Sequence, residues 1–310
     1  MSLLSIGTLA FDAIETPFGK TDKIVGGACT YIALAASYFV NESRVVSVVG
    51  GDFPKNRLSD LEKRGVNLEG LQIKENEKSF FWSGKYHTDM NTRDTLVTEL
   101  NVLESFDPVI PESYKDDTTY LMLGNLAPVV QLQVLERLSN KHELVVLDTM
   151  NFWMDIAMAD LKKVLKHVDV LTINDEEARQ LSGEYSLVKA ADVIREMGPT
   201  YLIIKKGEHG ALLFHGTEVF CAPALPLAEV FDPTGAGDTF AGGFIGHIAK
   251  TKDHSFENMK RAIIFGSALA SFTVEKFGTE RLENLTIEEI NSRVEKFVKL
   301  AHFNMDLAVI

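Results

Sequence analysis

Residues 232–238 read Asp232-Pro233-Thr234-Gly235-Ala236-Gly237-Asp238, and Thr239-Phe240-Ala241-Gly242-Gly243-Phe244 continue directly into an apolar, helical pattern. Gly235 and Gly237 lack Cβ atoms, so the backbone there can take unusual dihedrals and approach a ligand closely. Free N–H groups at a helix start, added to the helix dipole, make an anion site. Asp238 falls in the first turn, where the dipole keeps a carboxylate ionised and able to take a proton from a nearby hydroxyl. Read together, these residues predict phosphoryl transfer to an alcohol.

Upstream of this loop, short β-branched or apolar runs alternate with amphipathic stretches. Strands are expected at 3–8, 45–49, 120–123, 144–148, 170–173 and 201–204, with helices near 27–39, 56–64, 128–139, 157–167, 175–182 and 186–197. Strands each followed by a helix give an α/β fold with a mostly parallel central sheet covered on both faces. After Gly207 the pattern changes: 211–215 and 218–221, separated by Gly216-Thr217, read as a hairpin. Helices near 236–249, 255–275 and 286–302 close the chain. Asp12 falls in the loop after the first strand, at the edge where ligands gather in open α/β sheets. Residues 15–25, 79–86 and 95–102 break the alternation and read as extended pieces of a small separate sheet. No repeat or Pro/Gly-rich linker divides the chain. The expectation is therefore one domain over 1–310, with a lid from segments of about 13–25 and 79–102.

Composition narrows the function. The 31 basic side chains stand against 44 acidic ones, a formal net charge of −13. Such a surface repels nucleic acid and anionic lipid, so neither is an expected partner. A polyphosphate would need a local cation and a dedicated anion site. No apolar run reaches the roughly 18 residues of a membrane span, and the N-terminal segment lacks the basic region of a signal peptide. Cys29 and Cys221 form neither a disulfide framework nor a zinc pattern, which fits a reducing, cytoplasmic setting. No G-x-x-x-x-G-K-[ST] occurs, and Gly7-Thr8-Leu9-Ala10-Phe11-Asp12 stands where a dinucleotide fingerprint would follow the first strand; P-loop NTPases and dehydrogenases are thereby disfavoured.

The run at 232–238 with Thr239-Phe240 resembles, almost letter for letter, the C-terminal signature of the ribokinase-like (PfkB) family of carbohydrate and nucleoside kinases. Val25-Gly26-Gly27, a Gly pair opening a helix, is similar to that family's N-terminal signature, and the order of elements fits along the whole chain. The resemblance implies that Asp238 is the catalytic base, with the N–H groups of Gly235, Ala236, Gly237 and Asp238 as the anion hole. It implies that Asp232 and Thr234 lie beside a monovalent cation such as K+. Asn174-Asp175-Glu176-Glu177 reads from its own residues as a capping box. By resemblance it is the element holding Mg2+ and phosphate through water, with Asn174 and Glu177 as its polar ends. Lys205-Lys206-Gly207-Glu208-His209-Gly210 is similar to the loop that contacts ATP, with Lys205, Gly207 and Gly210 in place and Lys205 replacing a small hydroxyl residue. The implied cofactors are ATP and Mg2+.

On the acceptor side, Asp12 resembles the family aspartate that bonds sugar hydroxyls, and Gly26 and Gly27 the backbone that packs on the sugar. Ala28-Cys29-Thr30-Tyr31 departs from the usual continuation and turns Tyr31 toward the site, while Asn125 stands where ribokinases carry a carboxylate. Those departures point away from ribose toward another polyol or ring. From the lid, Tyr86, His87 and Arg93 are candidate acceptor contacts; Trp82 and Trp153 read as packing residues. The expected function is ATP-dependent phosphorylation of a small sugar or polyol. A nucleoside kinase is the near alternative, and a non-catalytic sugar-binding regulator the alternative of another class. Edge strands of the lid could pair two chains into a homodimer.

Overall fold

A computed structural model of the chain describes residues 2–115, 118–138, 142–300 and 302. Its strands are β1 Ser2–Ile6, β2 Ala10–Thr16, β3 Gly19–Lys20, β4 Ile24–Gly26, β5 Ser43–Gly50, β6 Val66–Lys74 and β7 Phe81–Tyr86. They continue with β8 Arg93–Glu99, β9 Thr118–Leu123, β10 Leu144–Asp148, β11 Val170–Asn174, β12 Tyr201–Lys205, β13 Ala211–His215 and β14 Glu218–Ala222. The helices are α1 Ala28–Ala36, α2 Lys55–Lys63, α3 Glu112–Lys115, α4 Pro128–Arg137, α5 Asn151–Ile156 and α6 Met158–Leu165. After them come α7 Asp175–Ser182, α8 Leu187–Arg195, α9 Ala236–Thr251, α10 Phe256–Thr273, α11 Glu280–Glu283 and α12 Ile287–Leu300.

Nine strands form the main sheet in the order β14-β13-β12-β11-β10-β9-β1-β5-β6. All neighbours from β12 to β6 are parallel, and β13 and β14 add an antiparallel hairpin at the far edge. Side chains alternate between the two faces with the period of two that a strand imposes. On β9, Tyr120 and Met122 pack with α1, α9 and α10, whereas Leu121 and Leu123 pack with α4 and α6. Both faces are thus buried, as parallel strands require. Helix α9 lies close against its neighbours because small residues face them: a Cβ on Gly243 would come 3.0 Å from Gly266 Cα of α10, and one on Gly246 3.1 Å from Ala36 Cα of α1.

The chain leaves β1 toward β5 and β6, then returns to the other side of β1 at β9. That reversal opens a crevice beyond the carboxyl ends of β1 and β9, the position where open α/β sheets place ligands. Over it stands a second sheet, ordered β3-β2-β7-β8 with β4 also paired to β2. Strands β2 and β7 are parallel, so Asp12 stands opposite Trp82 and Ile14 opposite Gly84.

Several boundaries differ from expectation. The second sheet begins at Ala10, so Asp12 belongs to a strand and not to a solvated loop. Its last strand is Arg93–Glu99, and 101–103 form a single 3-10 turn. Strand β6 was not anticipated, because Asn67, Glu69 and Gly70 interrupt the apolar pattern of an edge strand whose outer face meets water. Helix α5 is likewise an addition. Residues 139 and 301, at the ends of two expected helices, lie outside the described residues.

Candidate functional site

Loop 232–238 crosses the mouth of the crevice. Gly235 is the N-cap of α9 with φ 75° and ψ 0°, a left-handed conformation that glycine takes without steric cost. Pro233 O accepts the Ala236 N–H at 3.2 Å, and Gly235 O accepts that of Thr239 at 2.8 Å. The N–H groups of Gly235, Gly237 and Asp238 have no backbone carbonyl partner among the described residues. The anion-binding capacity of the turn therefore rests on these three, and the Ala236 N–H, expected to join them, is engaged within the turn. Asp232 is fully buried; one carboxylate oxygen accepts the Thr234 N–H at 2.8 Å and the other that of Gly278 at 2.9 Å. This carboxylate fixes the loop to the turn preceding α11.

Asp238 sits recessed in the first turn of α9. Burial, and then the negative charge of Asp148, push its pKa up to about 7, against the lowering influence of Lys205 and Arg93. A carboxyl poised there is matched to accepting a proton at neutral pH. Asp12, 5% exposed, is also pushed up to about 7, chiefly by burial. Its Oδ2 accepts the Gly27 N–H at 3.4 Å and occupies the space a Cβ on Gly26 would need. Gly27, at φ 90°, caps α1 and passes too close to the Thr8 carbonyl for any side chain. Both members of the Gly pair are thus required by the approach of Asp12 and of the loop after β1.

Tyr31 lies beneath the turn at Gly235. Its ring fills the space a methyl on Gly235 would enter, and its hydroxyl, fully buried, has no hydrogen-bond partner among the described residues. Burial raises its pKa well above the ordinary phenol value, and the charges of Asp12, Asp232 and Asp238 add to that. From the second sheet, Tyr86 is 4% exposed and its hydroxyl accepts from Thr234 Oγ1 at 3.2 Å. Arg93 hydrogen-bonds the Tyr86 hydroxyl, and its positive charge acts on Asp12, Glu177 and Asp238. His87 is exposed and paired to Asp94 at 3.0 Å. Trp82 is not a core residue: it is half-buried, its indole lying over Gly84, with the Arg93 guanidinium 5.5 Å from its ring centre. Asn125 stands at the end of β9, but its amide is engaged, Oδ1 accepting from Trp153 Nε1 at 2.8 Å and Nδ2 contacting Met150 Sδ at 3.0 Å.

On the opposite side, Asn174 and Glu177 form the expected capping box. Asn174 Oδ1 accepts the Glu177 N–H and Glu177 Oε2 accepts the Asn174 N–H, both at 2.7 Å. Burial pushes Glu177 up to about 7, with Lys205 opposing and Asp148 adding to the rise. Sequence reasoning missed Asp148, although its signal was a carboxylate ending a strand on the same edge as Asn174 and Lys205. Its Oδ2 accepts from Lys205 Nζ at 2.5 Å and from Thr172 Oγ1 at 2.8 Å. Gly207 and Gly210, at φ 53° and 84°, bracket the turn after β12. The tip of the β7–β8 hairpin touches that turn through Asn91 Nδ2, which donates to Glu208 Oε1 at 3.2 Å. The carboxylates of Asp148 and Glu177 lie within electrostatic reach of each other and of Lys205. Such an oxygen set fits a hard divalent cation that keeps part of its hydration shell.

The chain matches the pfkB family carbohydrate kinases over residues 2–285. It is 31% identical over 250 residues to a cytidine kinase of Thermococcus kodakarensis, a match covering 79% of this chain and 87% of the relative. A nucleoside kinase of Burkholderia thailandensis, solved with inosine, superposes with a TM-score of 0.77 at 21% identity, covering 96% of this chain and 99% of that one. A protein described as ribokinase II of E. coli, solved with ATP and Mg2+, gives 0.76 at 19% identity, covering 95% and 99%. The signature loop, the Gly pair and the capped Asn-x-x-Glu stand around one crevice in the fold these structures share, and this chain belongs to the pfkB family of carbohydrate kinases.

Proposed function

We propose that this chain is an ATP- and Mg2+-dependent nucleoside kinase, using Asp238 to take the proton from the acceptor hydroxyl. Phosphoryl transfer depends mainly on positioning and on stabilising charge over the equatorial oxygens. The N–H groups of Gly235, Gly237 and Asp238 supply donors at the helix N-terminus, and Lys205 and Arg93 supply positive charge from opposite sides. Mg2+ would be held near Glu177 and Asp148, and neutralises phosphate charge when bound. Asn174, Gly207 and Gly210 shape the nucleotide side. Asp12 accepts from acceptor hydroxyls, the backbone at Gly26 and Gly27 packs on the ring that carries them, and the buried Tyr31 ring supports the turn beside that ring. Asn125 acts through Trp153 and holds the far wall.

The observation that carries the choice of a nucleoside is Trp82. It stands opposite Asp12 across the parallel β2–β7 pair, so both side chains project from the same face of the lid. Gly84 leaves room for the indole to lie over the strand, and Arg93 flanks it. A flat aromatic ring beside the carboxylate that reads sugar hydroxyls suits a planar base attached to a sugar. The cytidine kinase and the inosine-bound nucleoside kinase support the same choice. The same reading places a monovalent cation beside Asp232 and Thr234, the enzyme in the cytoplasm, and two chains joined at the lid. There β8 is an edge strand with Leu96 55% and Val97 41% exposed.

A panel of cytidine, uridine, adenosine, inosine, ribose, fructose and inositol, assayed for ADP release with Mg·ATP in K+ and in Na+ buffers, tests it. Nucleosides should give the highest kcat/KM. Trp82→Ala should raise the nucleoside KM by about 5- to 150-fold, the range of one base–aromatic stack, with Trp82→Phe intermediate. A free sugar used better than every nucleoside overturns the reading.

A further inference from the structure

At the carboxyl end of the main sheet a single ammonium stands among three carboxylates. Lys205 Nζ lies 2.5 Å from Asp148 Oδ2, with the two side chains only 17% and 9% exposed. On its other side it abuts the phosphate loop, where a Cβ on Gly237 would come 3.1 Å from Nζ. Glu177 and Asp238 complete the surround, each feeling the positive charge of Lys205 and the negative charge of Asp148. Burial lowers the pKa of Lys205, but the negative charges of Asp148, Glu177 and Asp238 outweigh it and hold the ammonium above its ordinary value. One carboxylate oxygen of Asp148 is therefore already bonded to an ammonium, in a protein whose net charge is −13.

A hydrated divalent cation and this ammonium would compete for the same carboxylate. The lysine can yield, because its charge rides on a flexible four-carbon stem. Phosphate oxygens at the N-terminus of α9 would offer it an equally strong charge-assisted bond within a short swing. We propose that Lys205 is a resident counter-ion. In the nucleotide-free enzyme it pairs with Asp148 and closes the carboxylate cluster to free metal. Arriving nucleotide phosphates draw it off Asp148, so that metal and nucleotide enter together. The proposal rests on the phosphotransferase reading of this site, and it makes Lys205 a gate on metal entry besides a contact for phosphate.

Mn2+ alone is the probe, with free ion read by electron paramagnetic resonance on the full-length protein without nucleotide. Wild type should bind Mn2+ weakly. Lys205→Met should bind it at least about tenfold tighter, since a full charge a few ångströms away is removed. Lys205→Arg should stay near wild type, and Asp148→Asn added to Lys205→Met should erase the gain. Mg2+ should raise the melting temperature of Lys205→Met and leave that of wild type nearly unmoved. Lys205→Gln replaces Lys205→Met should the latter not fold. Equal Mn2+ affinity in wild type and a folded Lys205 variant overturns the proposal. So does a wild type that binds Mn2+ as tightly without nucleotide as with a non-hydrolysable ATP analogue. An enzyme with normal turnover but no Mn2+ difference refutes the counter-ion alone. A clear Mn2+ difference without turnover on any acceptor refutes the kinase reading alone.

Discussion

Asp238→Asn removes the proposed proton acceptor while preserving the size and shape of the side chain. A positioned general base contributes about 10²- to 10⁴-fold, so kcat should fall by that factor while nucleotide binding persists. The pH dependence makes the test more specific. With Asp238 held at about 7, wild-type kcat/KM for the acceptor should rise with pH up to about that value and level beyond it. The residual rate of the variant should lack its share of this limb. Asp12 and Glu177 are held near the same value, so the assignment comes from comparing variant with wild type and not from the position of the limb. Stability gives an independent reading. The folded pKa of about 7 lies above the ordinary 3.8, so the folded state binds the extra proton between about pH 4 and 7. The associated stability is complete below about 4 and is lost as pH rises through about 7. A shift of about 3 units corresponds to at most about 4 kcal/mol, reduced to about 2 kcal/mol by solvent access from the cleft. Asparagine carries no charge to bury, so the variant should be more stable than wild type at pH 8, with the gap closing toward pH 4. Turnover by ADP release from pH 5 to 9 and calorimetry at both ends check these outcomes. Near-wild-type turnover, or a variant less stable than wild type at pH 8, would refute the reasoning.

Gly235→Ala would place a methyl both in the left-handed region, at about 1–2 kcal/mol, and against the Tyr31 ring. Denaturant titration should show it destabilised and the ADP assay nearly silent, and adding Tyr31→Ala should recover part of the stability while leaving the backbone cost. Tyr31→Phe removes a buried hydroxyl that lacks a partner among the described residues, a group whose burial costs about 1–3 kcal/mol. The free protein should therefore melt higher, while the acceptor KM stays near the wild-type value; a KM raised several-fold would show that the hydroxyl reaches the acceptor after all.

Apart from β6 and α5, the alternating main-sheet strands and helices from β1 to β12 were legible because those strands are buried on both faces and leave continuous apolar runs. The capping box at Asn174 and Glu177 was legible because its chemistry is local. Strand β6 was not, since an edge strand with Asn67, Glu69 and Gly70 owes its form to pairing with β5. The site divided along the same line. Asp232, Gly235 and Asp238 stand together in one loop and could be read there. Asp148 and Trp82 acquire their meaning only through partners far along the chain: Lys205 is 57 residues beyond Asp148, and the Asp12–Trp82 pairing exists only in the register of β2 with β7. Trp82 read as packing because nothing local distinguishes an indole under a core from one laid over a glycine.

The ring of Tyr31 beneath Gly235 joins two parts of the enzyme that an engineer would wish to vary separately. Tyr31 belongs to the helix whose N-terminus we assign to the acceptor, and Gly235 to the turn we assign to the phosphoryl group. Any redesign of acceptor preference that shrinks Tyr31 also removes the floor under that turn, and any that enlarges it presses the turn upward. Libraries aimed at new substrates should therefore leave position 31 alone and draw their diversity from the lid at Trp82, holding Arg93 fixed because it bonds Tyr86 and so reaches Thr234 of the loop.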